Sequence, residues 1–201
     1  MARRKEGKGL IDLIIFDLDG TLVKLPIDYD NMRREICEAT GDESILDSPL
    51  LPFIQRQSKE LRLKIFGIMD KYERRAIEGM YVDPTIRDAF GMIKNYKLAL
   101  VTMQGRNVAD KILNIIGIRE MFSMLLSREV SLSRTEQLRI AVEKLRASTE
   151  KTFFIADRET DYRAAVEVGV KPVIIGRTIN NRKIMTVLDA VKFILEHKND
   201  E

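Results

Sequence analysis

A single cysteine, Cys37, excludes an intrachain disulfide. It lies within a helical pattern and reads as a small apolar filler, not a nucleophile. Neither sign of charge dominates: 34 Lys and Arg stand against 31 Asp and Glu, a formal net charge of +3. That near balance gives no support to a nucleic-acid partner or an acidic membrane surface. The one local excess, Arg3, Arg4, Lys5 and Lys8, reads as a solvated, frayed terminus. No apolar run approaches the ~20 residues that a membrane span needs. Leu10 to Phe16, interrupted by Asp12, is too short for a signal-peptide core. The expectation is a cytoplasmic protein. Internal repeats and low-complexity segments are absent.

What remains is a globular composition, 45% hydrophobic and 32% charged, over 201 residues. That length suffices for one good core plus a smaller module. Five short apolar, branched runs read as buried strands: Asp12 to Asp17, Lys97 to Thr102, Phe122 to Ser127, Thr152 to Asp157 and Pro172 to Gly176. Helical patterns lie between the last four. Asp83 and Pro84 fit the N-cap and first turn of a helix running to Asn95. Asn107 to Ile116 and Thr160 to Val168 are closed by Gly117 and Gly169. Thr135 to Arg146 lies between them, and a last helix covers Ile184 to Glu196. Such alternation implies an α/β fold, a Rossmann-like parallel sheet with helices on both faces. Ligands bind such sheets at the carboxyl ends of the strands. Three strands end in Asp17, Thr102 and Asp157, whose polar groups are expected to converge.

Leu25 to Tyr81 breaks the alternation. It holds no strand pattern and two helical stretches, Tyr29 to Ala39 and Pro52 to Glu78. Leu61, Ile65, Ile68, Met69 and Tyr72 are spaced to pack on a partner. An all-helical insert directly after the first strand reads as a lid over the site. The expected division is a core of residues 1–24 and 82–201 and a small helical cap of residues 25–81.

The most informative stretch is Ile14-Ile15-Phe16-Asp17-Leu18-Asp19-Gly20-Thr21. Alternation puts Asp17 and Asp19 on one side of the chain as it leaves a strand. Two carboxylates so placed can bind a hard cation through oxygen, or divide labour as nucleophile and acid/base. Gly20 removes the side chain where the backbone must bend or approach a ligand.

Asp-Leu-Asp-Gly-Thr after an apolar strand resembles the first motif of the haloacid dehalogenase superfamily, most of whose members are magnesium-dependent phosphohydrolases. The resemblance implies that Asp17 attacks phosphorus and that Asp19 protonates the leaving oxygen and then activates water. Dehalogenase members do not need the second acid, so Asp19 favours phosphate chemistry. It also implies Mg2+ held by Asp17, the backbone carbonyl of Asp19, Asp157 and Asp161. The last two come from Ile155-Ala156-Asp157-Arg158-Glu159-Thr160-Asp161, which is similar to the fourth motif with Ala156 in place of glycine. Thr102 matches the second motif, with a hydroxyl for the phosphoryl group. Met103 and Gln104 after it, and Gly20 and Thr21 after the first motif, are the expected substrate contacts. Arg158 and Glu159 read as solvated.

The third motif departs from the family pattern. A lysine is expected there, and an ungapped register puts Leu132 in its place. Arg134 is the first candidate for the missing cation and Arg128 the second. Arginine is always charged, but it is bulkier and forked.

The resemblance thus implies a phosphatase of a small phosphorylated metabolite, similar to phosphoglycolate phosphatases. Alternatives are a catalytically weak domain with a binding or regulatory role, and a phosphomutase, which needs a cap that excludes water well. Phosphonate hydrolysis would need a Schiff-base lysine, and none of Lys24, Lys59, Lys64 and Lys71 is marked by its context. Arg33, Arg34 and Arg56 are candidate specificity residues in the cap. His197 is assigned no role, and monomer and homodimer both stay open.

Overall fold

A computed structural model describes residues 11–196. The basic N-terminal cluster and His197 lie outside the described residues. In chain order the elements are β1 (Leu13–Phe16), β2 (Val23–Lys24), α1 (Tyr29–Thr40), α2 (Leu50–Gln55), α3 (Lys59–Ala76), β3 (Tyr81–Val82), α4 (Ile86–Ile93), β4 (Leu98–Val101), α5 (Arg106–Ile115), β5 (Met124–Leu126), α6 (Arg134–Lys144), β6 (Thr152–Ala156), α7 (Glu159–Val168), β7 (Lys171–Ile174), β8 (Thr178–Ile179), β9 (Arg182–Lys183) and α8 (Val187–Glu196).

The five main strands form one parallel sheet in the order β5-β4-β1-β6-β7. Each is apolar at successive positions because both faces are covered. Ile14 and Phe16, Leu98 and Leu100, and Phe153 and Ile155 point to one side, under α4, α5 and α8. Leu13 and Ile15, Ala99 and Val101, and Phe154 and Ala156 point to the other, under α6 and α7. On the first face the rings of Phe16 and Phe90 stack with centroids 5.1 Å apart, and Phe122 meets Phe16 edge-on. This alternation on buried strands pins the register, and with it the depth at which Asp17 and Asp157 emerge from their strands.

The segment between β2 and β3 is helical and has its own apolar cluster. Met32 and Ile36 of α1 meet Phe53 and Ile54 of α2 and Ile65, Ile68 and Met69 of α3. The expected single helix from Pro52 to Glu78 is two helices. The hydroxyl of Ser58 accepts from the Leu61 amide at 3.3 Å, which starts α3 afresh. A strand pattern was not expected between Leu25 and Tyr81, yet Tyr81 and Val82 pair antiparallel with Lys24 and Val23. The chain thus leaves for the helices and returns through one small ribbon, whose two-residue strands are too short for periodicity to reveal.

Two helix starts also differ from expectation. Asp83 accepts from the Thr85 amide at 2.8 Å and hydroxyl at 2.6 Å, so the turn at Pro84 precedes α4 instead of opening it. The other Asp83 oxygen accepts from the Val187 amide at 2.9 Å, tying α4 to the start of α8. α8 begins at Val187, not Ile184, because Ile184 exchanges backbone hydrogen bonds with Gly176 and Arg177. Residues 178–183 form a β-hairpin that the apolar pattern did not signal. Its turn residues Asn180 and Asn181 both have positive φ, as a tight hairpin requires.

Candidate active site

Four chain segments meet at the carboxyl end of the sheet. Asp17 follows the central strand β1, and its amide donates to the Ile155 carbonyl at 2.9 Å. The chain then turns tightly: the Leu18 carbonyl accepts from the amides of Leu22, at 2.9 Å, and Val23, at 3.1 Å. Gly20 takes φ +90° in that turn. A Cβ there would also collide with the Asp157 carboxylate, so glycine is required twice over. Asp157 directly follows the neighbouring strand β6, and Asp161 lies in the first turn of α7.

Asp17, Asp157 and Asp161 each offer an oxygen, and the three oxygens lie within 4.8 Å of one another. Asp157 Oδ1 and Asp161 Oδ2 are buried and accept no hydrogen bond. Orphaned carboxylate oxygens at this density are costly unless a cation joins them. An all-oxygen set of this kind suits a hard divalent ion. Asp19 is not in this group. Its Oδ1 accepts from the Leu25 amide at 2.9 Å, and the ligand role the resemblance implies for it falls to its main-chain carbonyl.

Arg134 is the first residue of α6 and enters the same cluster from the opposite side. Its Nη2 donates to Asp17 Oδ1 at 2.8 Å and its Nε to Asp161 Oδ1 at 2.7 Å. The guanidinium lies 5.7 Å from the Phe154 ring centroid. Gln137, one turn on and fully buried, accepts from Arg134 Nη1 at 3.0 Å. It donates to the carbonyls of Thr102 at 2.9 Å and Ser131 at 3.0 Å, which fixes Arg134 to the end of β4. Sequence reasoning missed Gln137; its signal was a buried-side position three residues after the arginine, on the same helix face.

Burial raises Asp17 to about 7, against the pull of Arg134 and with Asp161 and Asp157 adding to the rise. Burial likewise raises Asp19, opposed by the Leu25 amide and Arg158. Asp157 is raised by burial, with Arg158 opposing. Burial alone would lower Arg134, but the carboxylates of Asp17 and Asp161 outweigh it and raise the group.

The site opens into a cavity of about 490 Å³ between the sheet and the helical segment. Asp17, Asp19, Asp161, Arg134, Met103 and Gln104 line its core side. Gly20 and Thr21 do not; they line a separate depression beside Asp83 and Pro84. Thr102 is fully buried, and its hydroxyl donates to Gln104 Oε1 instead of facing the cavity. Arg128, the second candidate cation, is also fully buried and does not reach Asp17. It pairs with Asp70 and Glu73 of α3 and donates to the Met103 carbonyl at 3.1 Å. Arg158 lies on the cavity wall, 4.0 Å from Asp157, with its side chain mostly exposed. Of the three cap arginines, Arg33 alone reaches the wall.

The family model for haloacid dehalogenase-like hydrolases matches residues 14–175, from β1 past the end of β7. The chain belongs to that family. Among curated relatives, a pyrophosphatase PpaX of Halalkalibacterium halodurans is 24% identical over 205 residues, covering 89% of this chain and 90% of its own. Among solved structures, a predicted phosphatase from Clostridium acetobutylicum superposes with a TM-score of 0.66 at 19% identity, over 92% of this chain and 99% of that one. A predicted phosphoglycolate phosphatase from Haemophilus somnus gives 0.65 at 18% identity, over 93% and 99%. These superpositions show that the chain shares its fold with both structures over more than nine-tenths of its length.

Proposed function

We propose that the protein is a magnesium-dependent phosphatase of small phosphomonoesters, working through an aspartyl-phosphate on Asp17. The observation that carries this reading is the double ion pair of Arg134 with Asp17 and Asp161, beside an acidic triple with orphaned oxygens. It supplies a cation where the third motif lacks its lysine. The reading of a catalytically weak domain loses its main support with it.

A carboxylate can attack an anionic phosphate only where positive charge is concentrated. Asp17, Asp157 and Asp161 would hold Mg2+, which supplies that charge when bound. Arg134 keeps one Asp17 oxygen engaged, so the other faces phosphorus. As the Asp17 oxygen bonds to phosphorus, the ester P–O bond breaks and Asp19 gives its proton to the leaving oxygen. Burial raises Asp19 above its ordinary value, the direction that favours its acid form. Asp19 then takes a proton from water, whose oxygen attacks phosphorus and releases inorganic phosphate and free Asp17. The backbone after Thr102, with Met103 and Gln104 on the wall, would orient the phosphoryl group. Residues 25–81 act as the cap that encloses the leaving group.

The test is hydrolysis of p-nitrophenyl phosphate with Mg2+ and with EDTA. Turnover should require the metal and vanish in Asp17→Asn. Folded protein inactive on a broad phosphomonoester panel at several pH values would sink the proposal.

A further inference from the structure

Resting on the phosphatase reading, we infer that the site takes monophosphates of a largely apolar alcohol or phenol, whose apolar part lies against the helical segment. Beyond the reacting end, the charged groups on the wall are Arg33, Glu73 and Arg158. Arg33 is held in place but keeps its charge: its Nη1 donates to the carbonyls of Ile45 at 2.5 Å and Ser48 at 2.7 Å. Glu73 is committed to Arg128 and to the Gly105 amide at 3.1 Å. Arg158 follows Asp157 and lies 4.0 Å from it, so its charge belongs to the phosphate end.

The far wall offers apolar surface. Met32, Leu50, Leu51, Pro52 and Met69 come from the helical segment, and Leu132 from the loop before α6 faces them. The cavity, about 490 Å³, lies in the ~300–1,000 Å³ range of small-molecule sites. It has room for a leaving group well beyond the phosphate. An alkyl or aryl group gains by leaving water for this wall, whereas a carboxylate placed there loses hydration without compensation.

Binding of non-hydrolysable phosphonates separates this inference from the activity on which it rests. Calorimetry with Mg2+ would compare n-hexylphosphonate, methylphosphonate and phosphonoacetate. Hexylphosphonate should bind at least tenfold tighter than methylphosphonate, since burying two of its methylenes is enough for about tenfold. Phosphonoacetate should bind more weakly than hexylphosphonate. Leu50→Asn should remove the hexyl advantage and leave methylphosphonate unchanged, and Met32→Gln serves the same purpose if the first variant misfolds. Equal binding of the hexyl and methyl compounds, preference for phosphonoacetate, or no binding of any would overturn the inference. Turnover provides the second arm. Higher kcat/KM for phosphoglycolate or pyrophosphate than for hexyl phosphate overturns the inference and leaves the phosphatase standing. Tight hexylphosphonate binding with no turnover of any ester does the reverse.

Discussion

Arg134 is one positive charge between two buried carboxylates, held at 2.8 Å from Asp17 and 2.7 Å from Asp161. Removing it leaves both acids uncompensated. Arg134→Ala should lower kcat/KM by about 10²–10³, the scale for loss of one key electrostatic group. Arg134→Lys should lose less, because it keeps the charge but only one of the two directed contacts. Steady-state kinetics on the two variants checks the order; equal losses would remove the charge from the account. Protonation gives a second prediction. Asp17 rises from its ordinary 3.8 to about 7 in the folded, metal-free protein. The folded state therefore keeps a proton that the unfolded chain releases between those values. The stability this contributes is full below about pH 4 and lost as pH rises through about 7. A metal ion takes the proton's place. The rise in Tm caused by Mg2+ should grow between about pH 5.5 and pH 8, and a thermal-shift series showing a flat or shrinking response would contradict it. The acids of this site were legible because each sits at the end of an apolar run or four residues beyond one. The cation was less so: Arg134 and Asp17 are 117 positions apart, and only the fold decides which loop arginine reaches inward.

At the scale of elements, Arg128 joins the loop after β5 to α3. It is fully buried against Asp70, Glu73 and the face of Phe66, whose ring centroid is 5.3 Å away. The sequence displayed it as a free cation near the third motif, because its acidic partners stand on a helix 55 and 58 positions earlier. Taking away Glu73 leaves a guanidinium in a dry interior with a weaker partner. Glu73→Ala should cost about 3–5 kcal/mol, the range for breaking a buried pair. Urea unfolding measures it, and a change below about 1 kcal/mol, the scale of an exposed pair, would mean that this contact is solvated. The helices of the insert were readable by their apolar spacing. The break between α2 and α3 was not, since it rests on one serine capping its own downstream helix.

For the whole molecule, the parallel sheet and its two helical layers followed from apolar runs alternating with helical patterns, and each of the five strands overlaps its expected run. The ribbons β2–β3 and β8–β9 escaped notice because two residues carry no period. One side chain links the sheet's interior to its chemistry. Phe154 is fully buried under α6 and α7, and its ring lies beneath the Arg134 guanidinium. Phe154→Ala should destabilise the fold by about 3–5 kcal/mol and also lower kcat, whereas Phe153→Ala on the opposite face should destabilise without a matching loss of rate in the protein that remains folded. Measuring both quantities on both variants distinguishes a shared cause from simple unfolding.

The strand order has a consequence for the protein as it is made. Among the described strands β1 is the first to leave the ribosome, and it is the middle strand of the finished sheet, flanked by β4 and β6. Its neighbours do not exist until residues 98–101 and 152–156 have been synthesised. Until residues 98–101 have emerged, the four apolar residues Leu13–Phe16 lack both of their sheet neighbours, which is when a nascent chain is most open to aggregation. The acidic site closes only with Asp161, after both flanking strands are available. The acids can therefore meet only once β1 has both of its neighbours.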